Sequence, residues 1–260
     1  MKYLVLAAAA ALPASAAAAP AQDSPDYRVR VGIGAQWQPD YIGSDHTDLA
    51  PLFQMKFARG TNQFKFSAPD DRTGIGVVSS GNFSFGPAAA LAPGRKDRDV
   101  GAPVGKVSRT IEVGAFGQYL AGDSFRVRAE VVKGVNGHEG VVGTVSADKI
   151  WRDGDRYVFS VGPRILFSDA RYQRAFFGVS PRASLATGLP MYRPGGGVHA
   201  IDAASTASYQ LTNQWGLFGY ARYERLVGDA AKSPIVREYG SRNQVSAGVG
   251  VSYTFNLHLF

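Results

Sequence analysis

From Tyr27 to Trp37, apolar side chains at Tyr27, Val29, Val31, Ile33, Ala35 and Trp37 alternate with Arg28, Arg30, Gly32, Gly34 and Gln36. A period of two marks a strand with one apolar and one polar face. The pattern returns at Ile111, Val113, Ala115, Gly117 and Tyr119 against Glu112, Gly114 and Gln118, and at Phe125, Val127, Ala129 and Val131 against Arg126, Arg128 and Glu130. It continues at Tyr157, Phe159, Val161 and Ile165 against Arg156, Ser160 and Arg164, and is cleanest at Val245, Ala247, Val249, Val251, Tyr253 and Phe255. No helical period competes with it. The segments predict strands at 27–38, 50–58, 62–68, 73–79, 83–91, 109–120, 124–133, 140–151, 155–167, 197–211, 214–226 and 243–257. That makes twelve, with ten as the alternative count because the third and fourth strands are short.

Tight turns at 59–61, 80–82, 121–123, 152–154 and 212–213 alternate with longer connections, two of them, around 92–108 and 168–196, much longer. Short turns on one side and long loops on the other, with both termini on the short side, predict an all-β fold: a closed antiparallel transmembrane β-barrel of the bacterial outer membrane, with periplasmic turns and extracellular loops. A soluble sandwich also has one apolar face per strand. Here, however, the opposite face carries Arg28, Arg30, Glu112, Arg126, Arg128, Glu130, Asp148, Arg156, Arg164, Asp202, Arg222 and Glu224, too many charges for an apolar core. With Lys56, basic groups outnumber acidic ones on that inward face. The interior is expected to be an ion-paired plug, in preference to a narrow anion-leaning channel. Tyr253 and Phe255 have the form of the C-terminal strand signal read by outer-membrane assembly machinery, with Asn256–Phe260 following as a tail.

Composition adds a compartment. Met1-Lys2, the apolar run from Leu4 to Leu12 and Ala19-Pro20-Ala21 read as a signal peptide, 1–21, cleaved after Ala21, leaving 22–260 as one barrel domain. No later run approaches the ~20 apolar residues of a membrane helix. With 19% charged and 12% aromatic residues, disorder is excluded. The absence of Cys excludes disulfides, thiolate metal sites and a catalytic thiol. The formal charge of +7 is scattered along the chain, which argues against nucleic acid as a partner.

An ordered set of loop motifs accompanies this frame: Pro39-Asp40-Tyr41-Ile42-Gly43-Ser44, Gly137-His138-Glu139-Gly140, Phe177-Gly178-Val179-Ser180, Gly188-Leu189-Pro190-Met191-Tyr192 with Pro194-Gly195-Gly196-Gly197, and Gly228-Asp229-Ala230-Ala231-Lys232-Ser233-Pro234. Together they resemble the MipA/OmpV family of outer-membrane proteins. The resemblance covers essentially the whole mature chain. It implies an outer-membrane barrel in contact with lipid and lipopolysaccharide, and a scaffolding role between a lytic transglycosylase and a bifunctional penicillin-binding protein in murein synthesis.

As local chemistry the same motifs have plainer readings. Pro, Asp, Gly and Ser at 39–44 are ordinary turn residues. Pro194-Gly195-Gly196-Gly197 lacks the Lys-Ser/Thr of a phosphate loop and is expected to fold a long loop back into the mouth. Ser233-Pro234 is expected to lock an outer loop, and His138 to be a hydrogen-bonding turn residue. Asp40, Asp45 and Asp48 could collect a divalent cation, but few oxygen ligands are assured. None of the four histidines is followed two residues on by Ser, so no lipid-hydrolase dyad is written in the sequence. The expectation is a non-enzymatic protein without a cofactor or metal.

Overall fold

The computed structural model describes residues 27–257. The expected signal peptide, Gln22–Asp26 and the terminal His258–Phe260 lie outside the described residues. One antiparallel sheet contains β1 (Tyr27–Pro39), β2 (Thr47–Arg59), β3 (Thr73–Gly74), β4 (Val78–Ser80), β5 (Phe83–Ala92), β6 (Thr110–Ala121), β7 (Phe125–Gly134), β8 (Val141–Asp153), β9 (Tyr157–Ser168), β10 (Gly197–Gln210), β11 (Trp215–Leu226) and β12 (Asn243–Leu257). From β5 to β12 each strand pairs with its sequence neighbour, and β12 then pairs with β1, placing Tyr27 opposite Leu257. β1 pairs onward with β2, while β3 and β4 both pair with β5. The path makes a half-barrel ending at β2 on one side and at β3 and β4 on the other, with no ladder joining the two ends among the described residues.

Three expectations need correction. Residues 62–68 form no strand, and 73–79 divides into the stubs β3 and β4. The count of twelve is thus reached through two stubs, and every other strand has ten to fifteen residues. The expected tail also begins late, because Asn256 and Leu257 are still paired with β1. Tight turns follow from glycine: Gly122 and Gly154 sit at φ 59° and 53°, left-handed values that a Cβ would disfavour.

Burial runs opposite to that of a soluble sheet. Along β7, Phe125, Val127 and Val131 are exposed while Arg126, Arg128 and Glu130 are buried. Trp37 and Val249 are 63% and 67% exposed. A wall with an apolar exterior is what hydrocarbon requires of a spanning sheet.

The long connections hold five short helices that the sequence pattern did not predict: α1 (Asp97–Val100), α2 (Ala170–Phe177), α3 (Pro181–Thr187), α4 (Gly228–Lys232) and α5 (Pro234–Tyr239). Asp169 caps α2 by accepting from Tyr172 N at 2.8 Å. Ser180 accepts from Ala183 N to start α3, with Pro181 in its first turn and Gly188, at φ 75°, ending it. The helices carry their own apolar core. One cluster joins Tyr172, Phe176 and Phe177 to Val132, Val142 and Leu226 at the strand ends, and the other gathers Tyr41, Val100, Val179, Leu189 and Ile235. A packed cap therefore covers the long-loop end. Among the described residues, no helix is long and apolar enough to cross a membrane.

Candidate functional site

The segment from Thr61 to Arg72, predicted in part to be a strand, lies along the inner face of the wall. Near the short-turn end, Arg28 donates to the Asn62 carbonyl and pairs with Asp155 at 2.8 Å, and Phe64 N donates to Asp155. The Phe64 ring lies beneath Arg28 and Arg30, 4.9 and 4.3 Å from their guanidinium carbons, and Phe66 lies beneath Arg126 at 4.7 Å. The aromatic residues that give 62–68 its strand-like alternation are thus consumed in stacking on lumen arginines.

Beyond Phe66 the segment supplies charge. Asp70 accepts from Arg164 at 3.1 Å, Asp71 from Arg126 at 2.5 Å, and Arg72 donates to Glu112 at 2.9 Å and Glu130 at 3.3 Å. Asp148 bridges Arg126 and Arg164 at 2.6 and 2.7 Å, and Arg128 pairs with Glu130 while lying over the Phe116 ring. At the upper end His138 Nε2 meets Glu112 at 3.1 Å, and its Nδ1 accepts from Gly140 N. That acceptor role fixes the tautomer that donates to Glu112. The network holds four guanidinium groups and five carboxylates. Balancing its charges took Asp70 and Asp71 against the arginines and Arg72 against the glutamates, none of which a strand pattern marks.

A second group sits beside it, where Arg222 pairs with both Asp202 and Glu224. Lower down, Arg28 and Arg152 share Asp155, and Arg30 and Lys56 add two more cations, leaving that end basic. Arg156 does not face inward: it lies in the β8–β9 turn, exposed, with Asp153 at 3.9 Å.

The loop motifs converge in the cap. Pro39 ends β1, and Asp40 begins a loop in which burial raises the carboxyl's pKa, with Asp48 adding to the effect. Tyr41 is buried and donates to the Tyr239 carbonyl, Gly43 N donates to Gln244, and Ser44 bridges to Gly240. A Cβ on Gly140 would lie 2.5 Å from Tyr172 N, so glycine there lets α2 settle on the β7–β8 loop. Gly188 ends α3, Leu189 is buried, Pro190 is exposed, and Tyr192 pairs with Val179 and donates to the Asp229 carbonyl. Asp229 accepts from Gly195 N, which with Lys232 holds its carboxyl below the usual range. Gly196 packs against the start of α2, and Gly197, opening β10, accepts from Gln173. Ser233 is buried and donates to the Phe177 carbonyl at 2.8 Å, next to Pro234 at the start of α5. Tyr253 and Phe255 lie on β12, opposite Val31 and Val29.

A serine–histidine contact exists that the sequence did not announce: Ser168 Oγ lies 3.0 Å from His199 Nδ1. Both are buried beneath Tyr172, and a register shift between Val198 and Ala200 places His199 there. The pair ties β9 to β10. Among the described residues, no group of three or more His, Asp or Glu side chains could hold a metal ion.

Apolar wall outside, paired charges inside and a capped long-loop end define a β-barrel protein of the outer membrane. More narrowly, the chain belongs to the MltA-interacting protein MipA family, whose model matches residues 31–255. No curated protein matches the chain. Among solved structures it is similar to OmpT of Vibrio cholerae, with 10% identity and a TM-score of 0.38, covering 90% of this chain and 99% of that one. It is also similar to an outer-membrane channel from Pseudomonas putida F1, with 9% identity and a TM-score of 0.42, covering 92% and 100%. At such scores the topology rests on the strand pairing itself.

Proposed function

We propose that the wall closes between β2 and the β3–β5 edge into a sealed, non-enzymatic barrel that serves as a scaffold in cell-wall synthesis, holding a lytic transglycosylase and a bifunctional penicillin-binding protein together. The long loops face the exterior and the short turns the periplasm. The observation that carries this reading is the filled lumen: Asp70, Asp71 and Arg72 are locked into the arginine and glutamate sets of β6–β9 beneath a packed cap. A barrel without an open bore has surfaces to offer and no pathway. The family description, MltA-interacting protein, supports a lytic transglycosylase as one partner. The periplasmic turns are only a few residues long, so the grip falls on the turn end and the wall beside it.

The test is single-channel conductance of the refolded protein in a planar bilayer, alongside a pull-down from membranes with a tagged copy. A silent bilayer, with a murein hydrolase and a synthase recovered, is expected. Steady anion-selective openings that shift in Arg126→Ala/Arg128→Ala would replace the scaffold with a channel, a reading that the basic set Arg28, Arg30, Lys56 and Arg152 at the turn end favours.

A further inference from the structure

In the cap, between the α1 loop, the β7–β8 loop and helices α2 and α3, lies a cavity of about 610 Å³. Four cations line it, Arg95, Lys106, Arg174 and Arg193, and no carboxylate does. The rest of the wall is largely apolar, with Val104, Val179, Met191 and the Tyr192 ring among its members. Lys106, Arg174 and Arg193 are exposed at the rim, whereas Arg95 is 1% exposed.

Arg95 differs from the paired arginines at the centre of the lumen. Arg126 and Arg164 are buried against two carboxylates each. Arg95 is buried against carbonyls alone, donating to Phe176, to Gly105 at 3.1 Å and to Ala175 at 3.4 Å. Its Nε finds no hydrogen-bond partner among the described residues. Burial pushes the guanidinium down to about 10, with only the more distant Tyr41 and Asp97 opposing. A cation held out of water without a counter-ion is costly. Here it sits in the wall of an open cavity whose rim adds three more positive charges, an arrangement that concentrates positive potential on one spot and draws anions to it.

We propose that this cavity binds an anionic group carried on an apolar or aromatic body, a phosphate monoester or carboxylate whose oxygens take the free donor of Arg95. The rim cations neutralise the second charge and the apolar wall accepts the body. A guanidinium N–H suits a charge-assisted contact of this kind. The anion could belong to a soluble organic phosphate or to an outer-leaflet lipid, since the cap stands at the long-loop end.

The full refolded chain in detergent micelles would be titrated calorimetrically with phenyl phosphate, and separately with lysophosphatidic acid doped into the micelle. Saturable binding of at least one probe is expected, weakened about tenfold or more by Lys106→Glu/Arg174→Glu and weakened by added salt. Both substitutions are at exposed positions and leave the cap core intact. Arg95→Gln should abolish binding, and if it disrupts the cap the rim variant alone decides. Phenyl phosphate binding assigns a soluble ligand and lysophosphatidic acid alone a lipid; either supports the site. Binding of neither probe overturns the proposal, as does binding that the rim variant leaves unchanged or that is lost instead in the lumen variant Arg222→Gln.

Discussion

Asp148→Asn tests whether the lumen is dry. Asp148 is 0% exposed, and its oxygens are divided between Arg126, at 2.6 and 3.0 Å, and Arg164, at 2.7 Å. The amide keeps the volume, removes the charge and turns an N–H2 toward a guanidinium. Removing one partner from a buried ion pair costs about 3–5 kcal/mol. Arg126 keeps Asp71 and Arg164 keeps Asp70, so the expected loss is at the lower end, about 3 kcal/mol, or roughly a hundredfold in the unfolding equilibrium. In a water-filled bore the same charges would interact by only about 1 kcal/mol at ~4 Å. Glu139→Gln is the control, because its pair with Arg171 is 57% and 60% exposed and such pairs contribute about 0.5 kcal/mol. Urea unfolding in lipid vesicles, followed by tryptophan fluorescence and by gel mobility of the folded form, measures both. A loss in Asp148→Asn below about 1 kcal/mol, level with the control, refutes the reasoning and makes the lumen wet.

Val249→Arg places a charge on the outward face midway along β12 and should lower stability by about 2–4 kcal/mol, read as the shift in urea midpoint in vesicles. Ser233→Ala removes the buried donor to the Phe177 carbonyl at a cost of about 1–3 kcal/mol; limited proteolysis should then cut the α4–α5 loop sooner while the barrel band survives. The Asp229 carboxyl is held below its usual range by Gly195 N–H and Lys232. Its contribution to ordering the loop is therefore complete above the ordinary aspartate range and lost as pH falls through the lowered value. Amide exchange at Gly195 should accelerate across that interval and lose its pH step in Asp229→Asn.

Much of the wall was legible because a lipid-facing strand writes its phase directly: Phe125, Val127 and Val131 outward, Arg126, Arg128 and Glu130 inward. The lumen was legible only by half. Its arginines lie on strands, but Asp70, Asp71 and Asp155 come from an irregular segment and a turn, where no periodicity marks direction. Residues 62–68 misled because alternation cannot distinguish a strand that faces lipid from an extended segment whose Phe64 and Phe66 stack on guanidinium groups. The cap helices have four to eight residues, too few to establish a period, yet Ser180-Pro181 and Gly188 were local start and stop signals. The motif loops read as turns one at a time. What unites them is contact across the whole chain, as between Tyr41 and Tyr239, and that is invisible in one dimension.

The placement of the 61–72 segment also constrains the order of assembly. It precedes β5–β12 in the chain, and those strands, with β1, supply the walls it touches. The segment leaves the wall between β2 and β3, at the two ends of the sheet path. If the wall closes there as proposed, Asp70 and Asp71 have to reach Arg164 and Arg126 before that seam shuts. The segment is then a latch as well as a filling: a chain that lost Asp70 and Asp71 would lack the ties that hold the seam's own connection against the far wall.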